Sequence, residues 1–342
     1  MIKYSIIIPV YNTGDLLKPC IASVQAQGNQ NWEILLIDDG SSDNSAEICR
    51  EVAKAEPRIR FFSQENQGQL RTRQNGILKA EGEYVLFLDS DDTWNPQLLD
   101  RIEETIEAYG CDMVLFGYQK MKDGRVLRVS PQYFSDCTVF EQNKKELARA
   151  ILEKGAFSSV WVKAIHRNLA LQCIDGYDRY WHIRQSEDLL QSLRWFAKAR
   201  RIVYIHDVLY NYIWRNSSVT NTSAFNRYKD MLLVQGAVKE FGLTMGIRPE
   251  ELMPFYKNVC RRLLVYISGL CRAPGPCRPS EDFLNEIYGH PFLEEVRDMG
   301  WPDTEGWSFK EKYAFRLFCR QKWRGLIQWE TMLGRLRDWL AK

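Results

Sequence analysis

Tyr84-Val85-Leu86-Phe87-Leu88-Asp89-Ser90-Asp91-Asp92 passes from five apolar residues directly into three carboxylates within four positions. The first half has the length and composition of a strand covered on both faces, and the second half is a polar loop ahead of a helical pattern. Similar apolar runs at 4–10, 32–37 and 58–62 precede it, and another lies near 113–118. Helical spacing fills the intervals at about 15–27, 44–55, 69–80 and 96–109, with Pro96 suited to a first helical turn. Strands alternating with helices in this way predict an α/β fold with an open, doubly wound sheet. In such a sheet ligands bind where loops leave the carboxyl ends of the strands. Three of those loops are polar here: Tyr11-Asn12, Asp38-Asp39-Gly40-Ser41-Ser42-Asp43, and Asp89-Ser90-Asp91-Asp92.

Beyond this repeat, residues 119–223 mix short strands (126–129, 202–205, 209–214) with helices (144–153, 187–199). From Ala224 onward the pattern is helical and rich in aromatics and arginines. These patterns divide the chain into 1–118, 119–224 and 225–342. With 342 residues there is enough chain for a full α/β core and a second region. A net charge of +2 supplies no overall field for nucleic-acid phosphates, so a nucleic-acid partner is not expected.

Nine cysteines without a C-x-x-C read as reduced thiols in the cytoplasm. Cys271 and Cys277 flank Pro274-Gly275-Pro276, but no further ligand accompanies them, and the four histidines form no metal-spaced pair. Ile6-Ile7-Ile8 is cut off by Pro9, too short for a signal-peptide core, and no stretch approaches the roughly 20 apolar residues of a membrane span.

Three carboxylates as close as Asp89, Asp91 and Asp92 repel one another unless a cation sits among them. Hard oxygen ligands at this spacing suit Mn²⁺ or Mg²⁺ shared with substrate phosphates. A solvated loop capped by Thr93 or Asn95 is the structural alternative. Leu88-Asp89-Ser90-Asp91-Asp92-Thr93 also fits the D-x-D-x-T signature of haloacid-dehalogenase-like phosphatases, with Asp89 as nucleophile. That motif ends the first strand of its domain, whereas three strands come earlier here. The 38–43 loop offers carboxylates to a base N–H or to ribose hydroxyls, while Gly40 and Ser42 or Asp43 turn the chain into a helix. No G-x-G-x-x-G or G-x-x-x-x-G-K-[ST] is present, so dinucleotide and P-loop readings lack their phosphate cradle.

Together these residues resemble a family 2 glycosyltransferase of the GT-A fold, of the bacterial polysaccharide-building kind. The matching segments are Ser5-Ile6-Ile7-Ile8-Pro9-Val10-Tyr11-Asn12, Ile37 to Asp43, Asn66-Gln67-Gly68, Arg73, Gly76, Gly82-Glu83-Tyr84, and Phe87 to Asp92. Trp161-Val162-Lys163, Ser186-Glu187-Asp188, Tyr210-Asn211-Tyr212 and Ser218-Val219-Thr220 follow in the same order. The resemblance implies a nucleotide-sugar-binding half at 1–118, an acceptor-binding half at 119–224 and a helical C-terminal extension. It implies an inverting transfer from a nucleotide sugar, a UDP-sugar above all, to a glycan or lipid-linked glycan acceptor.

By the same resemblance Pro9, Tyr11, Asp38 and Asp39 line the nucleotide pocket with Arg73, Asp89 and Ser90. Asp91, with Asp89, is the D-x-D ligand of Mn²⁺ or Mg²⁺, Asp188 is the general base, and Glu187 places the acceptor. Trp161 and Lys163 shape the acceptor side or serve as ordinary core and surface residues. Asp188 read alone is a helix N-terminal acid. A catalytically silent sugar-nucleotide or glycan-binding module would keep Asp39 and Asp91 and dispense with Asp188. Two departures from the family pattern stand out: Thr72-Arg73-Gln74 replaces Ala-Arg-Asn, with Asn75 one place late, and Ile213 rather than arginine follows Tyr212, the nearest arginine being Arg215.

The C-terminal pattern predicts helices at 309–323 and 326–340, with Phe309, Tyr313, Leu317 and Phe318 on one stripe beside Lys310, Lys312, Arg316, Arg320, Lys322 and Arg324. Such a helix either packs on the protein with its basic face in water or lies at the inner face of a cell membrane, through residues 308–342.

Overall fold

The computed structural model describes residues 3–177, 180–183, 185–215, 227–272 and 278–340, without the side chains of 227 and 338–340. The chain forms two compact units, Met1–Ser218 and Val219–Lys342.

In the first unit the strands are β1 (Tyr4–Val10), β2 (Trp32–Asp38), β3 (Ile59–Ser63), β4 (Tyr84–Phe87), β5 (Thr93–Trp94), β6 (Met113–Lys122), β7 (Arg125–Val129), β8 (Thr138–Phe140), β9 (Lys163–His166) and β10 (Ile202–Ile213). The helices are α1 (Leu17–Gln25), α2 (Ser45–Ala55), α3 (Gln69–Lys79), α4 (Leu98–Tyr109), α5 (Lys145–Lys154), α6 (Arg167–Leu171) and α7 (Glu187–Lys198). The sheet order is β3-β2-β1-β4-β9-β6-β10-β5, with β7 on β6 and β8 on β10. β1 to β4 pair in parallel, and β9 then enters antiparallel between β4 and β6. Every residue of β1 and β2 is buried, so helices and loops cover both faces of this half, as its continuous apolar runs require.

The strand order reverses at β1, which has β2 on one side and β4 on the other, and this is the switch point at which such sheets bind ligands. Pro9 fits β1 because β1 pairs with β4 only over residues 4–7. Ile7 O accepts from Leu88 N, so the N–H that Pro9 lacks would have pointed toward β4 beyond its last paired residue. On α3 the buried stripe is Leu70, Arg73, Gln74 and Ile77, a helical spacing that carries an arginine inward with the apolar residues. Gly76 lets this helix lie close to β1: a Cβ there would meet Ile7 Cγ2 at 2.5 Å.

Two expectations change. Helix α4 begins at Leu98, so Pro96 lies in the turn before it, where Leu98 N donates to Asn95 O. The strands expected at 202–205 and 209–214 are one strand, β10. Its register against β6 shifts at Tyr204/Val208 and again at Val208/Tyr210, so His206 and Asp207 form an irregularity within a strand rather than a break.

The second unit contains α8 (Arg227–Thr244), α9 (Met253–Arg272), α10 (Glu281–Tyr288), α11 (Pro291–Asp298), α12 (Phe309–Cys319) and α13 (Trp323–Leu340). A capping box between Ser308 and Glu311 sets the phase of α12, and Glu311 also binds Arg261 of α9. That phase buries Ala314, Phe315 and Phe318, and Phe309 and Tyr313 face outward instead of sharing the buried stripe with Phe318. No helix among the described residues is long and apolar enough to cross a membrane. The eight described cysteines are free thiols, and Cys277 lies outside the described residues, as do Ser218, Val219 and Thr220.

Candidate active site

Arg73 is the hub of the site. Its guanidinium is 1% exposed and reaches Asp188 Oδ1 at 2.5 Å, Asp89 Oδ1 at 3.5 Å and Glu187 Oε1 at 3.7 Å, while Gln69 Oε1 accepts from it at 3.2 Å. Three elements therefore meet on one cation: mid-helix α3, the loop after β4, and the first turn of α7. Burial alone would lower the pKa of Arg73, but Asp188, Asp89 and Glu187 hold it above its ordinary value. One cation among three carboxylates leaves the cluster acidic. Burial foremost pushes Asp89 up to about 7, Asp188 and Asp91 adding to it and Arg73 opposing. Glu187 also rises to about 7, first from burial and then from Asp188, again against Arg73.

Ser186, at φ 63°, makes the left-handed turn that starts α7 and sets Glu187 and Asp188 in its first turn, where the helix dipole favours acids. Val160 N donates to Asp188 Oδ2 at 3.3 Å, so both oxygens of Asp188 are oriented.

Each carboxylate of the acidic loop after β4 has a different partner. Asp89 faces Arg73, and Asp91 Oδ2 is paired with Arg215 at 2.8 Å. Asp92 accepts from Tyr210 Oη at 2.8 Å and from Ile213 N at 2.7 Å, and the same Tyr210 oxygen accepts from Asp89 N at 3.2 Å. Asp92 thus fixes the end of β10 against the loop together with Tyr210, a role that local spacing does not announce. Ser90 is buried between these residues. Thr93 and Trp94 form β5 and do not cap a helix.

The loop after β2 is built differently. Asp39 Oδ1 accepts from Gln64 Nε2 at 2.8 Å and Gln67 N at 2.9 Å, and Oδ2 accepts from Gly68 N at 2.8 Å. Three of roughly four lone-pair sites are thereby filled by the chain itself. Asn75 donates to Gln64 Oε1 at 2.7 Å, so the asparagine that falls one place late supports the same loop. Asp38 accepts from Ser41 N at 3.2 Å and Ser63 Oγ at 3.1 Å and is buried. Gly40, at φ 77°, makes the turn, with a Cβ there only 3.0 Å from Asn66 N. Pro9 is buried at the end of β1, and Tyr11 beyond it is 52% exposed. Asn12 Oδ1 accepts from Ser42 N at 2.8 Å, tying the first polar loop to the second.

Trp161 stacks on Tyr210 at 4.2 Å and packs edge-on to Tyr118 at 4.9 Å. Lys163 is not a surface residue: it is fully buried, its ammonium donating to Phe157 O at 2.6 Å and to Ser159 O. Burial lowers its pKa to about 7, with Asp188 opposing. The loop that Lys163 clamps lines a small cleft of about 50 Å³, whose walls include Tyr118, Tyr133, Ser158, Ser159 and Tyr204.

Among the described residues no group of three His, Cys, Asp or Glu side chains is arranged to hold a metal ion. The oxygens at hand are those of Asp91, whose carboxylate is 37% exposed, and of Asp89. One or two carboxylates completed by substrate phosphates and water are the usual provision for Mg²⁺, so the pair fits a hard dication shared with a diphosphate.

Known proteins resemble this chain in sequence and in fold. The profile described as "Glycosyl transferase family 2" matches residues 5–171. Glycosyltransferase GlyG of Streptococcus pneumoniae serotype 4 is 30% identical over 224 residues, which span 64% of this chain and 73% of GlyG. The uncharacterized glycosyltransferase EpsJ of Bacillus subtilis is 28% identical over 298 residues, 85% of each chain. The crystal structure of S. aureus TarS 1-349 in complex with UDP-GlcNAc aligns over 96% of this chain and 90% of that one, with a TM-score of 0.58 and 18% identity, a likeness of fold that bears out the GT-A reading. The phosphatase alternative for Asp89 is set aside by these matches. The chain belongs to glycosyl transferase family 2.

Proposed function

We propose that the protein is an inverting, metal-dependent glycosyltransferase that moves a sugar from a UDP-sugar to a glycan or lipid-linked glycan acceptor in surface-polysaccharide synthesis, working in the cytoplasm. The observation that carries this reading is the Arg73 hub, which joins the donor-side loop at Asp89 to Asp188 through one guanidinium. Asp188 takes the proton of the acceptor hydroxyl as that oxygen bonds to the anomeric carbon and the bond to the UDP oxygen breaks. Arg73 and Val160 N hold its carboxylate in one orientation while this happens. Asp91 and Asp89 would hold Mn²⁺ or Mg²⁺, which when bound offsets charge on the departing diphosphate. The donor class is supported by the TarS structure with UDP-GlcNAc, read together with the 38–43 and 89–92 loops. The aromatic and hydroxyl-bearing cleft beside Ser159 suits a sugar unit of the acceptor, with Lys163 and Trp161 as its supports.

Asp188→Asn tests the reading in a transfer assay with radiolabelled UDP-sugars. Transfer should fall by about 10²–10⁴ while UDP affinity stays within about threefold of wild type. Unchanged transfer would remove Asp188 from the role of base. Donor binding by a wild type that transfers nothing to any acceptor would favour the silent binding module.

A further inference from the structure

The outward side of α12 carries an apolar patch edged by unneutralised cations. Phe309, 75% exposed, stacks on Tyr313 at 6.4 Å, and Tyr313 packs on Trp329 of α13 at 4.6 Å. Met332 and Leu336, at i+3 and i+7 from Trp329, extend the patch along α13, and both are exposed. Arg316 and Arg320, at i+3 and i+7 from Tyr313, continue the same side of α12 and are exposed too.

With Lys310, Lys312, Lys322 and Arg335 they make a set of cations that form no ion pair or side-chain hydrogen bond among the described residues. Other cations of this unit are matched: Lys257 with Asp303, Arg261 with Glu311, Arg272 with Glu330 and Arg324 with Glu281. A contiguous apolar patch rimmed by charge marks a surface that another body covers, and the sign of that charge selects the body.

We propose that this surface seats the protein on an anionic lipid bilayer, with Phe309, Tyr313, Trp329, Met332 and Leu336 at the headgroup boundary and the arginines and lysines against lipid phosphates. Aromatic rings prefer that boundary, and each cation near an anionic leaflet adds attraction. No described helix spans the bilayer, so the mode is peripheral. A second copy of the chain is disfavoured as the occupant, because it would set two such cationic rims face to face.

Flotation of the full chain tests this, using phosphatidylcholine vesicles with and without phosphatidylglycerol. The wild type should float with the phosphatidylglycerol vesicles only and be released by raised salt. The double variant Arg316→Glu/Arg320→Glu should lose binding by about tenfold or more, and Phe309→Ser/Tyr313→Ser by about fivefold or more. Arg316→Glu/Arg320→Glu should keep the wild-type unfolding transition, because these side chains are exposed and unpaired among the described residues. If a double variant loses that transition, Arg316→Gln and Met332→Ser take its place. Wild type left at the bottom of the gradient, equal flotation on both vesicle types, or a variant that floats like wild type would overturn the proposal. So would a concentration-dependent dimer dissolved by Phe309→Ser, or binding to duplex nucleic acid that outcompetes the vesicles.

Discussion

The loops after β2 and β4 leave the same end of one sheet, and both are dense in aspartate, yet their carboxylates are held by different kinds of donor. Asp39 is gripped mainly by backbone N–H groups of 67–68, which cannot leave without unmaking the loop. Asp91 is gripped by a side chain, the Arg215 guanidinium. A carboxylate satisfied by backbone keeps its place with or without a ligand, and one satisfied by a side chain can be handed over whole. The same distinction separates Asp92, fixed by Ile213 N and Tyr210, from its neighbour Asp91.

Asp91→Ala should show the largest effect. UDP binding in the presence of Mn²⁺, followed by calorimetry, is expected to weaken by about a hundredfold or more while the unfolding midpoint stays put. Equal UDP affinity with and without Mn²⁺ would end the assignment of Asp91. Asp39→Ala should cost about 2 kcal/mol of stability in urea, because the part-buried amide donors of 67–68 lose their acceptor. An Asp39 variant as stable as wild type would erase the distinction between the loops.

Arg215→Ala is expected to release Asp91 and tighten Mn²⁺ binding without nucleotide by about threefold to tenfold, read by metal titration. Weaker binding would mean that Arg215 helps to shape the metal site.

The smallest effect concerns pH. Glu187, raised to about 7, titrates at roughly 4.3 in the unfolded chain. Its ionisation therefore subtracts stability as pH rises across that interval, and the penalty is complete above the folded value. Glu187→Gln should gain on the wild type between pH 5 and pH 8, by on the order of 1 kcal/mol in thermal or urea unfolding. A difference independent of pH would show that Glu187 is not held in its neutral form.

Strands β1 to β4 were legible because each is a continuous apolar run bounded by turn residues, and observed ends fall within a residue of those expected. The position of β9 was not, since four residues, Lys163 to His166, carry no periodic signal and their place between β4 and β6 is a long-range choice. Lys163 misled for a related reason: a lysine in a short motif reads as surface, whereas here two carbonyls satisfy its buried ammonium. In the site, the acidic run announced a missing cation. Sequence reading supplied a metal, while the fold also supplies Arg73 and Arg215 from positions 16 residues before Asp89 and 124 after Asp91. That pairing depends on chain geometry that local spacing does not encode.

The bare Cα of Gly76 acts as a gauge for the site. It sits one helical turn from Arg73, on the helix that aims the guanidinium at three acids, and the clearance to Ile7 leaves no room for a methyl group. A side chain there would push α3 off the sheet like a shim under a beam, and the guanidinium would move with it. The alignment of Asp188 with the loop after β4 is therefore set by how closely a helix can lie on a strand, at a position that touches neither.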